Sequence, residues 1–138
     1  MSVTLLPDVE RLVSNYLRAN TDVTALVGQN VYTVMPKNPV AKFPLVRLTR
    51  ITGAPLFSQP LRYDEAHLQV DCYGGSKQTA WQTAATIASV LAEGGLIGTQ
   101  AEGVVVNVEV AGLQDLPDDS FDPPQPRWIL DVNITARS

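Results

Sequence analysis

Trp128, Leu130, Val132, Ile134 and Ala136 alternate residue by residue with Ile129, Asp131, Asn133 and Thr135. A period of two places these sets on opposite sides of an extended chain, so the stretch is a strand with one face to bury and one polar face. The same alternation sets Ala66, Leu68, Val70 and Cys72 against His67, Gln69, Asp71 and Tyr73. From Val104 to Leu113 it places Val104, Val106, Val108 and Val110 on one face, with Asn107 and Glu109 on the other. One-sided strands need a cover, and two segments with helical spacing supply it. Val9, Leu12, Val13, Tyr16 and Leu17 follow a capping Asp8, and Ala80, Trp81, Ala84, Ile87, Ala88 and Leu91 lie between Ser76 and Gly94-Gly95. The sequence therefore predicts one α+β domain over residues 1–138. Its mostly antiparallel or mixed sheet of about five strands carries two main helices on one face.

The remaining segments fill in this frame. A short second helical turn through Val23, Leu26 and Val27 is expected, capped by Thr21 or Asp22 and stopped by Gly28. Val31 to Val34 reads as a short strand, Lys37 to Lys42 as a loop, and Leu45 to Thr52 as a β-branched strand begun by Pro44. Gly53 to Asp64 contains Pro55 and Pro60 but also Leu56, Phe57, Leu61 and Tyr63, more apolar material than a solvated loop needs, and reads as an arm. Gln114 to Pro126 is acidic and rich in proline and is expected to be an exposed connection.

Charge and cysteine usage narrow the function classes. Ten basic against fourteen acidic residues give a formal net charge of -4. Without Lys/Arg clustering, that balance disfavours binding through a nucleic-acid backbone. A lone cysteine, Cys72, leaves no internal disulfide and suits a reducing compartment. No apolar run approaches the ~20 residues of a membrane helix, and the first residues lack the pattern of an export signal. At 17% charged and 45% hydrophobic, the chain is low in charge for a monomer surrounded by water, which points to surface covered by a partner.

The search for chemistry returns little. His67 is the only histidine, and a strand sends it and Cys72 to opposite faces, so the two cannot act as a nucleophile and base pair. Asp71, Glu109 and Asp131 fall on polar strand faces. They are candidates for a shared polar or lumen-facing surface, with a carboxylate pair or hard-cation site as the sharper alternative. The glycines match no phosphate-binding loop, and Asp115, Asp118, Asp119 and Asp122 lack the glycine and terminal glutamate of a calcium loop. Neither a catalytic residue nor a cofactor or metal site is assigned. Arg47, Arg50 and Arg62 lie around the middle of the chain with Lys42, Phe57 and Tyr63 nearby. Arg47 and Arg50 take opposite strand faces, which breaks a continuous basic stripe and favours inter-subunit ion pairs. Leu56, Phe57, Leu61, Arg62, Tyr63, Arg47 and Arg50 are thus the candidate subunit interface.

The first helix followed by Leu26-Val27-Gly28, Val31-Tyr32, a proline at 36, and Phe43-Pro44 leading into a strand resembles the tail terminator or tail completion proteins of long-tailed bacteriophages. The likeness continues through the strand ending at Tyr73, the helix from Ser76 to Glu93 and two closing strands. It implies a non-enzymatic virion protein, assembled in the host cytoplasm, that forms a six-membered ring at the head-proximal end of the tail. That ring would end tail polymerisation, with itself, the tail tube protein and the head-tail connector as partners. Neither a membrane nor a specific nucleic-acid sequence is an expected partner, although DNA would pass through the ring. A neck or head-completion subunit is the alternative within virions. A ligand-binding or enzymatic domain, with a pocket lined by His67, Asp71 and Glu109, is the alternative of another class, and a monomeric adaptor a third.

Overall fold

The computed structural model describes residues 5–57 and 62–138. Two helices open the chain, α1 (Val9–Ala19) and α2 (Thr21–Val27), followed by strand β1 (Val31–Tyr32) and a 3-10 turn (Pro39–Lys42). Then come β2 (Leu45–Phe57), β3 (Arg62–Tyr73), α3 (Lys77–Ala92), β4 (Gly98–Thr99), β5 (Val104–Asp115) and β6 (Arg127–Arg137). Asp8 caps α1 by accepting from the Arg11 amide at 3.2 Å, and Ser76 caps α3 through the Thr79 amide at 3.1 Å. The cap of α2 is Asn20 instead of Thr21 or Asp22. Extended backbone at the end of α1 frees its side chain to accept from the amides of Asp22 and Val23 at 3.0 and 3.2 Å. Gly28, at φ +60, ends that helix.

Among the described residues the sheet has six strands in the order β1-β2-β3-β6-β5-β4, one more than expected. Of the pairs among them, only β1–β2 is parallel. The extra strand, β4, joins the sheet through two residues facing Val104 and Val105, too short to leave a periodic signal. The helices lie over one face, where Leu12, Val13, Leu17, Ile87 and Leu91 meet Leu48, Leu68, Val70, Leu130, Val132 and Ile134 in a continuous core. Burying each of these side chains contributes on the order of 1.5 to 3 kcal/mol before ordering costs.

In β5 the predicted face holds for Val108 and Val110 but not for Val104 and Val106. Val105 is buried opposite Ala136, whereas Val106 is 51% exposed, because the register shifts between Val105 and Asn107 and again between Val110 and Gly112. Each β-bulge adds one residue without a partner and so exchanges the faces of all that follow. The inner face is therefore Val105, Val108 and Val110, with Val106 outside the alternation. On α3 the buried row is Ala80, Thr83, Ala84, Ile87, Val90 and Leu91. Trp81 stays at its margin, 42% exposed, with its ring 4.9 Å from that of Trp128. Among the described residues no helix is long and apolar enough to cross a membrane.

Candidate assembly surfaces

Three features outside the core carry the residues singled out by the sequence. The first is the arm. Residues expected to form an irregular excursion continue β2 and β3 as a hairpin, with Ala54 facing Glu65, Pro55 facing Asp64, Leu56 facing Tyr63 and Phe57 facing Arg62. From Ile51 to Phe57 the β2 side is exposed throughout. Ile51, Leu56 and Phe57 stand 55%, 37% and 67% accessible, and the Arg62 guanidinium lies 5.7 Å above the Phe57 ring. At about 3.4 Å per residue this reach is on the order of 20 Å. Leu61 lies outside the described residues.

The root of the arm is fixed ionically. Arg50 grips the buried carboxylate of Asp64 with both terminal nitrogens, Nη2 to Oδ1 at 2.7 Å, while its own backbone N–H donates to Glu10 of α1 at 2.7 Å. The bond to Asp64 holds the guanidinium in its charged form. Gly53 makes room for this clamp, since a Cβ there would stand 2.0 Å from Arg50 Nη2 and 2.9 Å from the Glu65 carbonyl oxygen. Asp64 and Glu10 had no distinguishing sequence signal: the pairing of β2 with β3 brings Asp64 to Arg50, and the packing of α1 against β2 brings Glu10.

The second feature is the outer sheet face. Arg47 bonds Asp71 at 3.0 Å and Gln69 donates to the same carboxylate at 2.9 Å. His67 stands 3.2 Å from Asp131, and Asn133 donates to Glu109 at 3.4 Å. The three candidate carboxylates share this face but not one centre. Asp71 is fully buried beneath its partners, and each of the three has its own neighbour. Among the described residues no group of acidic, histidine or cysteine side chains is placed to hold a metal ion. Arg47 and Arg50 occupy opposite faces, each on a carboxylate of its own chain. Cys72 points into the core, where burial pushes its thiol well above the ordinary value.

The third is the connection from Gln114 to Pro126, largely exposed as expected but pinned at Asp118 and Phe121. It folds over one end of the outer face, where Asp118 and Gln125 form an isolated bridge. Phe121 packs edge-on against Phe43 and Tyr73, each at 6.1 Å, and those two rings stack at 5.3 Å. The Tyr73 hydroxyl donates to Asp118 at 2.6 Å, and Ser120 donates to the same side chain through its hydroxyl and backbone. Burial, aided by the bond to Asp118, pushes the phenol up to about 12. For Asp118, burial opposes ionisation, but the bonds from Ser120 and Tyr73 and the nearby Arg127 outweigh it and hold the carboxyl below its usual range. Proline content suggested solvent, which holds for most of the segment; Phe121 was the one apolar ring in it that pointed to an anchor.

Grooves elsewhere lie between α2 and α3, along α1, and beside Lys77 and Pro117. None of these three is lined by His67, Asp71 or Glu109.

Residues 12–134 match the profile of the family described as tail completion protein gp17. The chain belongs to this tail completion family. It is a structural protein of phage-type virions, associated with other virion components. The fold agrees with a chain in the virion of a native gene transfer agent particle, at a TM-score of 0.74 and 19% identity over 94% of this chain and 95% of that one. At that identity the likeness establishes the shared fold. A comparison with curated protein sequences returns no match.

Proposed function

We propose that copies of this tail completion protein close into a six-membered ring on the head-proximal end of a tail tube, end its growth, and present a joint to the head-tail connector. The observation that supports this reading most is the arm, whose exposed Ile51, Leu56 and Phe57 are left uncovered by the chain's own core. Large apolar side chains left exposed on one projecting segment are what a contact site presents. An arm reaching from one subunit to a different patch on the next is a heterologous contact, and a rotation that closes makes it a ring of fixed size. Burial of Leu56 and Phe57 would contribute on the order of 1.5 to 3 kcal/mol each, before ordering costs.

The outer sheet face suits the lumen. Glu109 and Asp131 make it acidic and polar without a metal-like cluster, and a wall of the same sign as DNA phosphates lets a strand pass without adhering. Changing Leu56 and Phe57 to Ser is expected to lower the mass of the assembled species by light scattering while leaving circular dichroism intact. An assembled mass unaffected by the pair of changes would remove the arm from the contact. A wild-type chain that neither self-associates nor binds tail tubes would end the ring reading.

A further inference from the structure

The helix side of the fold holds a groove between α2 and α3 of about 580 Å³. Its lining includes Ala25, Leu26, Ala85 and Val90 together with the carboxylates of Asp22 and Glu93. Small side chains at Ala25 and Ala85 open the space, and Leu26 and Val90 make part of it apolar. Glu93 is the C-cap residue of α3, where the helix presents its negative end, and the last turn carries no basic residue. A carboxylate there works against the helix, and it has no ion-pair partner among the described residues. A cation from elsewhere would relieve both penalties.

The arm offers the complementary pair. Phe57 is largely exposed and Arg62 stacks over its ring, so one tip combines an apolar plug with a positive charge. Strand addition is not how such an arm would engage. The open edge of β2 is blunted by Glu10 on the Arg50 amide and by Pro55, which has no N–H to donate. Side chains are what it has to present.

We propose, resting on the ring reading above, that the α2–α3 groove receives the arm tip of a neighbouring copy, with Phe57 seated on Leu26 and Val90 and Arg62 paired to Glu93. The contact is head-to-tail, since donor and receiver are different surfaces of the same chain. Reversing either charge in the full-length chain, Arg62→Glu or Glu93→Arg, is expected to weaken self-association about tenfold, as a like-charge contact does. The double reversal should restore it. Sedimentation velocity reads the assembled fraction, and circular dichroism checks that each variant is folded; Glu93→Arg favours the end of α3 on its own.

As a second measurement, a Phe57→Cys chain is mixed with an Ala85→Cys chain. A disulfide-linked pair on a non-reducing gel is expected, with the buried Cys72 inert. If wild type assembles but neither reversal alters it, or the double variant does no better than the singles and no linked pair forms, the groove is not the receiver and the ring still stands. A wild-type chain that stays single both alone and with tail tubes overturns the ring reading, and this contact with it.

Discussion

Tyr73 and Asp118 show how burial and a short bond between them set two titrations at once. The phenol is held above its ordinary value of 10.0 and the carboxyl below its ordinary 3.8, so each favours the folded state over a different pH range. For Asp118 the unfolded chain takes up its proton first on acidification, so its contribution is complete above 3.8 and is lost as pH falls through the lower folded value. For Tyr73 the unfolded chain loses its proton first on going alkaline, so its contribution is complete below 10.0 and lost as pH rises through about 12. Tyr73→Phe should therefore lower stability at neutral pH by about 1.5 kcal/mol, the value of a hydrogen bond to a charged acceptor. Urea denaturation should also show it losing less stability than wild type between pH 10 and 12. An equal alkaline loss in the variant would assign the effect to other groups.

Among the elements, the hairpin of β2 and β3 divides into a covered half and a free half, with the Arg50–Asp64–Glu10 clamp between them. Gly53→Val places a branched side chain against that clamp. It is expected to cost about 1 to 3 kcal/mol, as overpacking does, and to loosen the arm. Hydrogen exchange should then rise from Thr52 to Phe57 and remain unchanged in β6. The strands and helices with an uninterrupted period, β3, β6, α1 and α3, were legible in the sequence, because one-sided burial imposes a repeat that composition cannot hide. The start of β5 was not, since a bulge at Val106 turns Val105 inward in place of Val104 and Val106, while Val108 and Val110 keep the face that their alternation suggested. The arm concealed its strands behind Gly53 and Pro55, and the covering segment around Phe121 looked solvated because its prolines outnumber its one anchoring ring. Of the candidate surface residues, the shared face of Asp71, Glu109 and Asp131 followed from strand parity. Their separate partners depended on register between strands distant in sequence.

At the level of the whole molecule, the residues that hold the fold and those proposed for assembly lie apart. The chain exposes 7493 Å², somewhat more than the about 7,000 Å² of a compact monomer of this mass, in keeping with an extended hairpin. Leu68 is fully buried under the helices, whereas Phe57 is 67% exposed. Leu68→Ala is expected to cost about 2 to 5 kcal/mol in urea denaturation of the unassembled chain. Phe57→Ser should stay within about 0.5 kcal/mol there. A large loss from Phe57→Ser in that state would mean that the arm braces its own subunit.

The bond from Glu10 to the Arg50 amide bears on what the edge of β2 offers to other chains. A main-chain donor left bare on a long edge strand is an invitation to foreign strands, and one carboxylate withdraws it at Arg50. Farther out, Pro55 leaves nothing to withdraw. A foreign strand laid along this stretch of β2 would meet a donor already taken at Arg50 and none at Pro55, so two rungs of any added ladder are missing.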